Sequence, residues 1–271
     1  MTPTPRTYLF VPGDRPERFD KALACGADAV VLDLEDAVAV DNKSGARKAV
    51  HQRLLAATRE ERDRLLVRIN DESAAEFGAD LALLQSGLVS HVILPKAERT
   101  ATFQRMRALC PEIHILALIE TARGVQQAEM LAEAAGVVRL VFGTIDYALD
   151  LNLSGDPVGF DYAASRLAIA SRAARLEPPV AGVTPDVADL AALLSDLERA
   201  RAHGFGAKLC IHPQQVAAVH EALWPSAVEL DWARRVLDAA QSQRGTFQLD
   251  GRMIDKPVLD RAKAVLSRVA R

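Results

Sequence analysis

Short runs of β-branched and aliphatic residues alternate with amphipathic, helix-favouring segments along most of the chain, and this alternation is the feature that most constrains the fold. It predicts successive βα units and therefore a parallel sheet. Several runs are apolar on both faces, as expected of strands that face a packed barrel interior on one side and helices on the other. The pattern favours a closed (β/α)8 TIM barrel over a sheet covered on one side. The eight runs are Thr7–Val11, Ala29–Asp33, Leu65–Ile69, Val89–Leu94, Ile113–Ile119, Val138–Phe142, Pro179–Val183 and Ala207–Ile211.

The segments between these runs carry apolar residues at three- and four-residue spacing, which predicts the outer helices of the barrel. A doubly wound open sheet would also alternate strands and helices. It rarely needs so many similar units, however, and it usually has a glycine-rich phosphate fingerprint, which this sequence lacks. A length of 271 residues is compatible with a single barrel domain. The predicted helical segments include Ser44–Thr58, Thr100–Leu109, Thr121–Ala134 and Asp186–His203.

The chain continues for about sixty residues beyond the eighth run, which is more than barrel closure requires. This part predicts a helix near Val228–Gln241, a turn or hinge in the polar segment Ser242–Asp250 with Gly245, and a last helix from Pro257. We expect residues 1–241 to form the barrel with its closing helices. Residues 242–271 are expected to form a C-terminal helical extension, which is not an independent domain and either caps its own barrel or reaches a neighbouring subunit.

Charge and cysteine content restrict the class of partner and the compartment. The 33 basic and 36 acidic residues are interspersed and give a formal charge of −3, so we expect small-molecule partners and neither nucleic acid nor a membrane. The N-terminus has no signal-peptide pattern, and its apolar stretch is far shorter than the roughly 20 residues of a membrane span. Cys25, Cys110 and Cys210 lie far apart without CxxC spacing, as is typical of a reducing compartment. These features predict a cytoplasmic protein.

Polar residues close most of the apolar runs, and in a (β/α)8 barrel the active site lies at this C-terminal end of the strands. We therefore expect carboxylates and cations from several strands to converge on one rim. The closing residues are Gly13, Asp14, Arg15, Asp33, Glu35, Asp36, Arg68, Asn70, Lys96, Glu120, Asp146, Thr184, Lys208 and His212.

Two of these carboxylates are candidates for a metal site. Glu120 ends one run, and Asp146 lies just beyond the next, so their strands are neighbours. Two carboxylates with the remaining positions left to water and substrate suit Mg²⁺, and no cluster of His and Cys competes for a softer metal. The alternative is that each carboxylate caps the following helix or pairs with an arginine such as Arg123.

Arg68 closes the apolar run LLVRIN, so its guanidinium is expected to project from the strand end toward a carboxylate or a developing oxyanion. A structural ion pair with Asp33, Glu35 or Asp36 is the alternative. Asp36 could orient metal-bound water, and Glu35 could hold Arg68 or Lys96. These acidic residues could equally interact with the dipole of the following helix.

The segment FVPGDRPERFDKA places cations around the start of the first predicted helix, where anions bind well. Arg15 and Lys21 are therefore candidates for a phosphate or carboxylate of the substrate, with solvated surface charge as the alternative. A packed, satisfied side chain is the favoured interpretation of His212.

Several motifs with known chemistry are missing from the sequence. It has no GxSxG elbow, HExxH helix, Walker loop or GxGxxG after a strand, which argues against serine hydrolases, zincins and nucleotide-cofactor enzymes. Lys96 or Lys208 could form a Schiff base as in metal-free aldolases. The carboxylate pair makes that route the less favoured one.

Eight ordered segments between about residue 6 and about residue 266 resemble the citrate lyase β-subunit-like family, which includes malyl-CoA and citramalyl-CoA lyases. The resemblance implies a (β/α)8 barrel, usually trimeric, that cleaves a 3-hydroxyacyl thioester by a retro-Claisen reaction. We therefore expect a homotrimer, or a hexamer. The segments are YLFVPGDRPERFDKA, AVVLDLEDAV, LLVRIN, HVILPKAE, ALIETARG, VFGTIDYALDL, AKLCIHP and GRMIDKPVLDRA.

The resemblance also implies roles for residues of this chain. The family's Mg²⁺ ligands correspond to Glu120 and Asp146, and its substrate-binding arginine corresponds to Arg68. Its acidic pair near the second strand corresponds to Glu35 and Asp36. In the expected chemistry, the metal binds oxygens of the keto-acid half of the substrate, and the arginine neutralises the enolate that develops on the acyl half.

The family's C-terminal acidic residue corresponds to Asp255, for which we expect a role in a neighbouring subunit's site or, alternatively, a helix cap. The general base is left open between Asp36, Asp255 and a bound water. Acetyl-CoA with pyruvate or glyoxylate is the expected product pair, so the partners are a CoA thioester and a 2-keto acid. Two rival functions are a citrate lyase β subunit that acts on an acyl carrier protein and a non-catalytic acyl-CoA-binding protein.

Overall fold

Eight parallel strands close into a barrel in the computed structural model, which describes residues 4–242 and 246–267. Each strand pairs with the next along the chain, and the last pairs back to the first. The predicted (β/α)8 TIM barrel is therefore confirmed. The strands are β1 (Thr7–Pro12), β2 (Ala29–Asp33), β3 (Leu65–Arg68), β4 (His91–Leu94), β5 (His114–Ile119), β6 (Val137–Phe142), β7 (Val180–Ala181) and β8 (Ala207–Cys210).

The barrel interior is filled by one apolar cluster to which every strand contributes. Alternation along each strand places one set of side chains inside the barrel and the other against the helices. All five residues of β2 are buried, which explains why its sequence AVVLD is an almost continuous apolar run. The cluster contains Tyr8, Ala29, Val31, Leu66, Ile93, Leu116, Leu118, Val141, Val180, Ala207 and Leu209.

Helices lie between consecutive strands, and several begin at a side-chain cap. Thr58 and Glu61 form a reciprocal capping box, and Asp189 accepts a hydrogen bond from the backbone of Ala192. The helices up to the eighth strand are α1 (Phe19–Ala24), α2 (Lys43–Ala56), α3 (Arg59–Arg64), α4 (Phe77–Leu84), α5 (Thr100–Leu109), α6 (Ala122–Gln126), α7 (Ala128–Ala132), α8 (Thr144–Asp150), α9 (Asp161–Ala173) and α10 (Leu190–Ala202). The single helix predicted over Thr121–Ala134 is wrong in detail, since Gln127 separates α6 from α7.

Strand β7 is much shorter than the predicted run Pro179–Val183. Pro179 has no N–H to donate to a ladder, and Gly182 has no side chain to pack, so both weaken a strand at its ends. The observed strand is therefore limited to Val180 and Ala181.

The chain divides into two compact units, residues 4–220 with the barrel and residues from 221 onward. Helix α11 (Pro213–Leu223) crosses this division, and the second unit contains α12 (Ala227–Ser242), the strands β9 (Phe247–Leu249) and β10 (Arg252–Ile254), and α13 (Lys256–Ser267). The second unit has its own apolar cluster, which includes Val236, Ile254 and Ala262. The assignment of residues 242–271 as an extension that caps its own barrel or reaches a neighbouring subunit stays a prediction.

The predicted hinge Ser242–Asp250 is partly wrong. Phe247–Leu249 forms β9 and pairs antiparallel with β10, while the turn between them lies at Asp250 and Gly251. Both turn residues have positive φ, +51° and +73°, a conformation that Asp tolerates and Gly adopts without strain. Gly245 lies outside the described residues.

The structure contains no disulfide among the described residues, and Cys25, Cys110 and Cys210 are free thiols. Cys210 is buried, and the other two are half-buried. Within the described ranges, every helix is too short or too polar to cross a membrane.

Candidate active site

Arg68 is held in a fixed orientation at the end of β3. The register of β2 and β3 pairs Asp33 with Arg68, so both side chains reach the same rim of the barrel. Arg68 Nε donates to Asp33 Oδ1 at 2.7 Å, and Nη2 donates to Oδ2 at 2.6 Å, which is a bidentate ion pair. The guanidinium also lies over the Phe10 ring, 4.8 Å from its centroid. Arg68 therefore forms the ion pair with Asp33 that the sequence analysis gave as an alternative.

Glu35 lies on the other side of the same guanidinium. Its Oε2 is 2.7 Å from Arg68 Nη1, and its Oε1 is 3.6 Å from Lys96 Nζ. The carboxylate is buried, and neither oxygen has a well-aligned hydrogen bond to any described residue. Burial raises the pKa of Glu35 to about 7, since it outweighs the opposing charge of Arg68. This carboxylate therefore has capacity for a further cation or proton.

Glu120 is a second buried carboxylate, and it directly follows β5. Its Oε1 accepts a hydrogen bond from the backbone N–H of Lys96 at 2.8 Å. A Cβ atom at Gly143 would lie 2.4 Å from Glu120 Oε2, so glycine is required there for the carboxylate to occupy its position. Burial, together with the charges of Glu35 and Asp146, raises the pKa of Glu120 to about 8. An excess of negative charge is thus concentrated in a region of low solvation.

Lys96 supplies that backbone contact from a conformation that L-residues rarely adopt, with φ at +48°. Burial lowers the pKa of its ammonium, but the carboxylates of Glu35, Asp71 and Asp36 outweigh burial and raise it. Lys96 is therefore a charged neighbour of the carboxylates and a poor candidate for a Schiff base, which requires a neutral amine.

Asp146 is half-buried in the first turn of α8, one strand along the barrel from Glu120. The sequence left open that Glu120 caps the following helix or pairs with Arg123. In the structure Thr121 caps α6, and Arg123 lies 3.8 Å from Glu98. No group of three or more His, Cys, Asp or Glu among the described residues is arranged to hold a metal ion. Two carboxylates completed by water and substrate nevertheless fit Mg²⁺, and the cation would neutralise the buried charge of Glu120.

The remaining candidates on the rim are more exposed. Asp36 is exposed and 4.0 Å from Arg68 Nη1. Arg15 is exposed and 4.0 Å from Asp14, and Lys21 is exposed within α1. His212 Nδ1 accepts from the backbone N–H of Gln214 at 3.3 Å, which agrees with the satisfied histidine favoured from the sequence.

Asp255 lies at the start of α13 in the C-terminal unit. Its Oδ1 accepts from the backbone N–H of Val258 at 3.2 Å, and its carbonyl oxygen accepts from Leu259 at 3.0 Å. Asp255 therefore caps this helix, which is the structural alternative foreseen for it. The cap uses Oδ1 of its carboxylate.

Lys43 belongs to the site although the sequence analysis missed it. Its buried Nζ donates to the backbone oxygens of Leu34 and Glu35, each at 2.9 Å, and to Asn70 Oδ1 at 2.5 Å. Asn70 in turn donates to Asp80 Oδ2 at 2.6 Å. This network fixes the loop that carries Glu35. One signal was available, since Lys43 shares the buried face of α2 with Ala46, Val50 and Leu54.

Comparison with known proteins gives concordant matches over nearly the whole chain. Residues 6–213 match the family described as HpcH/HpaI aldolase/citrate lyase. A citrate lyase subunit beta-like protein of Mycobacterium tuberculosis (strain H37Rv) is 39% identical over 96% of this chain and 94% of that protein. A (3S)-malyl-CoA thioesterase of Cereibacter sphaeroides (strain KD131) is 30% identical over 97% of this chain and 94% of that protein. The solved structure of CitE from M. tuberculosis with magnesium, acetoacetate and coenzyme A covers 100% of both chains at 36% identity, with a TM-score of 0.88.

Proposed function

The chain belongs to the HpcH/HpaI aldolase/citrate lyase family, and from that premise we propose that it is a Mg²⁺-dependent carbon–carbon lyase. The substrate would be a 3-hydroxyacyl-CoA thioester such as citramalyl-CoA or malyl-CoA, cleaved to acetyl-CoA and a 2-keto acid. The observation that carries the proposal is the buried carboxylate Glu120, which lies one strand from Asp146 and near the ion pair of Arg68 with Glu35.

Glu120 and Asp146 would hold the metal in this proposal. Mg²⁺ is the metal named with the solved relative, and both carboxylates supply the oxygen ligands that it prefers. When bound, it would polarise the oxygens of the keto-acid half of the substrate. Gly143 and the backbone of Lys96 position Glu120 for this task before any ligand arrives.

Arg68 would stabilise the charge that develops on the acyl half. Cleavage breaks the bond between the carbinol carbon and the carbon next to the thioester, and the electron pair moves to the thioester oxygen as an enolate. A guanidinium fixed by Asp33 and Glu35 needs no reorganisation to meet that charge. Glu35 and Lys43 act as positioning residues for this arrangement.

The hydroxyl group of the substrate must lose a proton, and the enolate carbon must gain one. Asp36 is the exposed carboxylate nearest to Arg68. Among the residues of the barrel unit, it is our candidate for the group that transfers these protons. Arg15 and Lys21 are proposed to interact with the anionic groups of CoA, because both are exposed cations on the segment that follows β1.

Hydrolysis of the thioester is a second candidate function, favoured by the similarity to a (3S)-malyl-CoA thioesterase. In that reaction water attacks the thioester carbonyl and the carbon–sulfur bond breaks, so the products are free CoA and a hydroxy acid. Lyase cleavage leaves the thioester intact and releases a keto acid. The two reactions can therefore be separated by their products.

A panel of 3-hydroxyacyl-CoA thioesters, assayed with and without Mg²⁺, tests the proposal. Free keto acid is measured by its hydrazone, and free CoA is measured by its thiol. The lyase predicts keto acid that depends on Mg²⁺ and arises before any thiol. Thiol without keto acid would replace the proposal with the thioesterase. Absence of both products, with CoA binding that needs no Mg²⁺, would support the non-catalytic alternative.

We further propose that the chain is a homotrimer in which Asp255 serves a neighbouring subunit's active site. Co-expression of a Glu120→Gln subunit with an Asp255→Asn subunit, each nearly inactive alone, should restore part of the turnover in mixed oligomers. If mixed oligomers form without recovered activity, the shared site is wrong. Full activity of Asp255→Asn alone would leave Asp255 with only the helix cap that it makes to Val258.

A further inference from the structure

A cavity of about 440 Å³ lies outside the barrel interior, between the ends of β6–β8 and the helices α8–α10. Its size is within the range of pockets that hold small molecules. Aromatic and aliphatic side chains form most of its wall, among them Phe142, Ile145, Phe160, Val183 and Phe205.

Lys208 lines this cavity from β8. Its neighbours Ala207 and Leu209 belong to the barrel core, so alternation along the strand places Lys208 on the helix side, away from the interior. It is only 2% exposed. Its Nζ donates one hydrogen bond, to the backbone oxygen of Gly182 at 2.7 Å. The nearest carboxylate among the described residues, that of Asp196, is 4.0 Å away, beyond hydrogen-bond distance.

The carboxylates around the cavity are engaged by other groups. Asp196 Oδ2 accepts from the Thr184 hydroxyl at 2.5 Å. Asp161 Oδ1 is 3.1 Å from Arg199 Nε and 3.0 Å from His203 Nε2. An ammonium has three donors, so Lys208 has two left without a described acceptor in a region where unpaired charge is costly. Burial accordingly lowers the pKa of Lys208 to about 8. The cavity thus combines apolar walls with one under-satisfied buried cation.

We propose that this cavity binds a small monocarboxylate with an apolar chain or ring, whose carboxylate pairs with Lys208 while its apolar part contacts the aromatic wall. The site is separate from the Mg²⁺ and thioester site proposed above. It shares α8 with that site, since Ile145 and Ala148 line the cavity and Asp146 lies between them. An occupant would therefore contact the helix that carries a proposed metal ligand.

Isothermal titration calorimetry with hexanoate, hexan-1-ol and acetate tests the binding directly. Hexanoate should bind once per chain with a dissociation constant of about 1 mM or below. Hexan-1-ol lacks the charge and should bind about tenfold more weakly or worse, the scale of one charge-assisted hydrogen bond. Acetate lacks the apolar chain and should also bind about tenfold more weakly or worse.

Three variants locate the site. Lys208→Met should weaken hexanoate about tenfold or more and leave the alcohol unchanged. Ala200→Leu fills the cavity from α10 and should weaken both ligands. Ala191→Leu makes the same change at an exposed position of the same helix and should alter neither. Because Ala200→Leu keeps Lys208, it tests the site even if Lys208→Met does not fold.

The results also separate this proposal from the proposed lyase. Hexanoate binding should persist in Glu120→Gln, which lacks a metal ligand, whatever that variant does to turnover. Loss of hexanoate binding in Glu120→Gln would place the ligand in the active site and overturn the proposal. Competition between hexanoate and a thioester in Ala200→Leu, whose cavity is filled, would do the same. Equal binding to wild type and Ala200→Leu, or no binding to wild type, would overturn it as well.

Discussion

Two cations on barrel strands, the half-buried Arg68 on β3 and the buried Lys208 on β8, have opposite surroundings. Arg68 makes a bidentate ion pair with Asp33, contacts Glu35 and lies over an aromatic ring. Lys208 has one backbone acceptor and a carboxylate 4.0 Å away. Burial lowers the pKa of both groups, but the carboxylates of Asp33, Glu35 and Asp36 reverse this for Arg68 and raise it well above its ordinary range. For Lys208, burial prevails.

The difference shows that the acceptors around a cation, and not burial alone, determine the role of its side chain. A guanidinium presents several donors in a planar fork and stays charged, so a cluster of carboxylates can hold it as a permanent positive centre. A single ammonium with few acceptors remains available for a ligand. Arg68 is thus part of a preorganised electrostatic site, while Lys208 is the cation of the proposed carboxylate site.

The largest expected effect concerns the proposed metal ligands, Glu120 and Asp146. Glu120→Gln or Asp146→Asn should lower Mg²⁺-dependent turnover by about 10²-fold or more, because each removes a ligand charge from the reacting region. Asp150→Asn changes an exposed carboxylate on the same helix and keeps a side-chain oxygen that can accept from the backbone N–H of Ala122, so it should keep activity. Turnover is measured over a range of Mg²⁺ concentrations. Near-normal activity and Mg²⁺ dependence in either variant would remove that residue from the site.

Much of the barrel could be predicted from the sequence, because strands buried on both faces give continuous apolar runs that are easy to recognise. All eight strands begin and end within two residues of the predicted positions. Strand β7 is shortened the most, to two residues, because its flanking Pro179 and Gly182 limit its ladder. The C-terminal hairpin was missed because β9 and β10 have only three residues each, too few for a periodic pattern.

The candidate site was predictable to the extent that it lies at strand ends. The approach of Arg68 to Asp33 follows from strand register, and the sequence alone could not choose between that pair and a free guanidinium. The contacts that fix Glu120, from the backbone of Lys96 and past Gly143, depend on loop conformation. Lys43 was missed because a lysine at a helix start resembles a solvated residue until its buried acceptors are known.

Substitution of Arg68 should separate catalysis from stability. Arg68→Lys keeps the charge but loses the bidentate geometry, so we expect a large fall in kcat and a smaller change in KM. Arg68→Met should cost about 3–5 kcal/mol of unfolding free energy, because the buried carboxylates of Asp33 and Glu35 lose their guanidinium partner. Steady-state kinetics and urea unfolding measure the two effects. Full activity of Arg68→Lys would confine Arg68 to the structural ion pair.

The carboxylates at the rim should also couple Mg²⁺ binding to pH. The folded-state pKa values of Glu35 and Glu120, about 7 and 8, lie above the ordinary 4.5, so the folded protein keeps protons that the unfolded chain has released. This stabilisation is complete below pH 4.5 and is lost as pH rises through about 7 to 8. Between about pH 4.5 and these folded-state pKa values, the metal-free protein should therefore lose up to about 1.4 kcal/mol of unfolding free energy per pH unit and group.

Mg²⁺ bound at Glu120 would displace the proton of that carboxylate, so a fixed Mg²⁺ concentration should raise the melting temperature more at about pH 8 than at about pH 5.5. Differential scanning fluorimetry in matched buffers measures this, and Glu120→Gln should reduce the pH dependence because one of the two groups no longer titrates. A Mg²⁺ effect that is equal at both pH values would show that Glu120 does not bind the metal.

The smallest expected effect is on stability at Lys208, and it compares the two cations directly. Because the folded-state pKa of about 8 lies below the ordinary 10.5, Lys208 favours folding fully above pH 10.5, and this contribution is lost as pH falls to about 8. At neutral pH the buried charge is therefore a net cost, which Lys208→Met removes together with the bond to Gly182. Asp196 stays bound to Thr184, so no carboxylate is stranded. We expect urea unfolding at neutral pH to change by no more than about 1 kcal/mol, compared with the much larger loss for Arg68→Met. A loss as large as that of Arg68→Met would mean that Lys208 is a structural ion-pair residue and that the two cations do not differ.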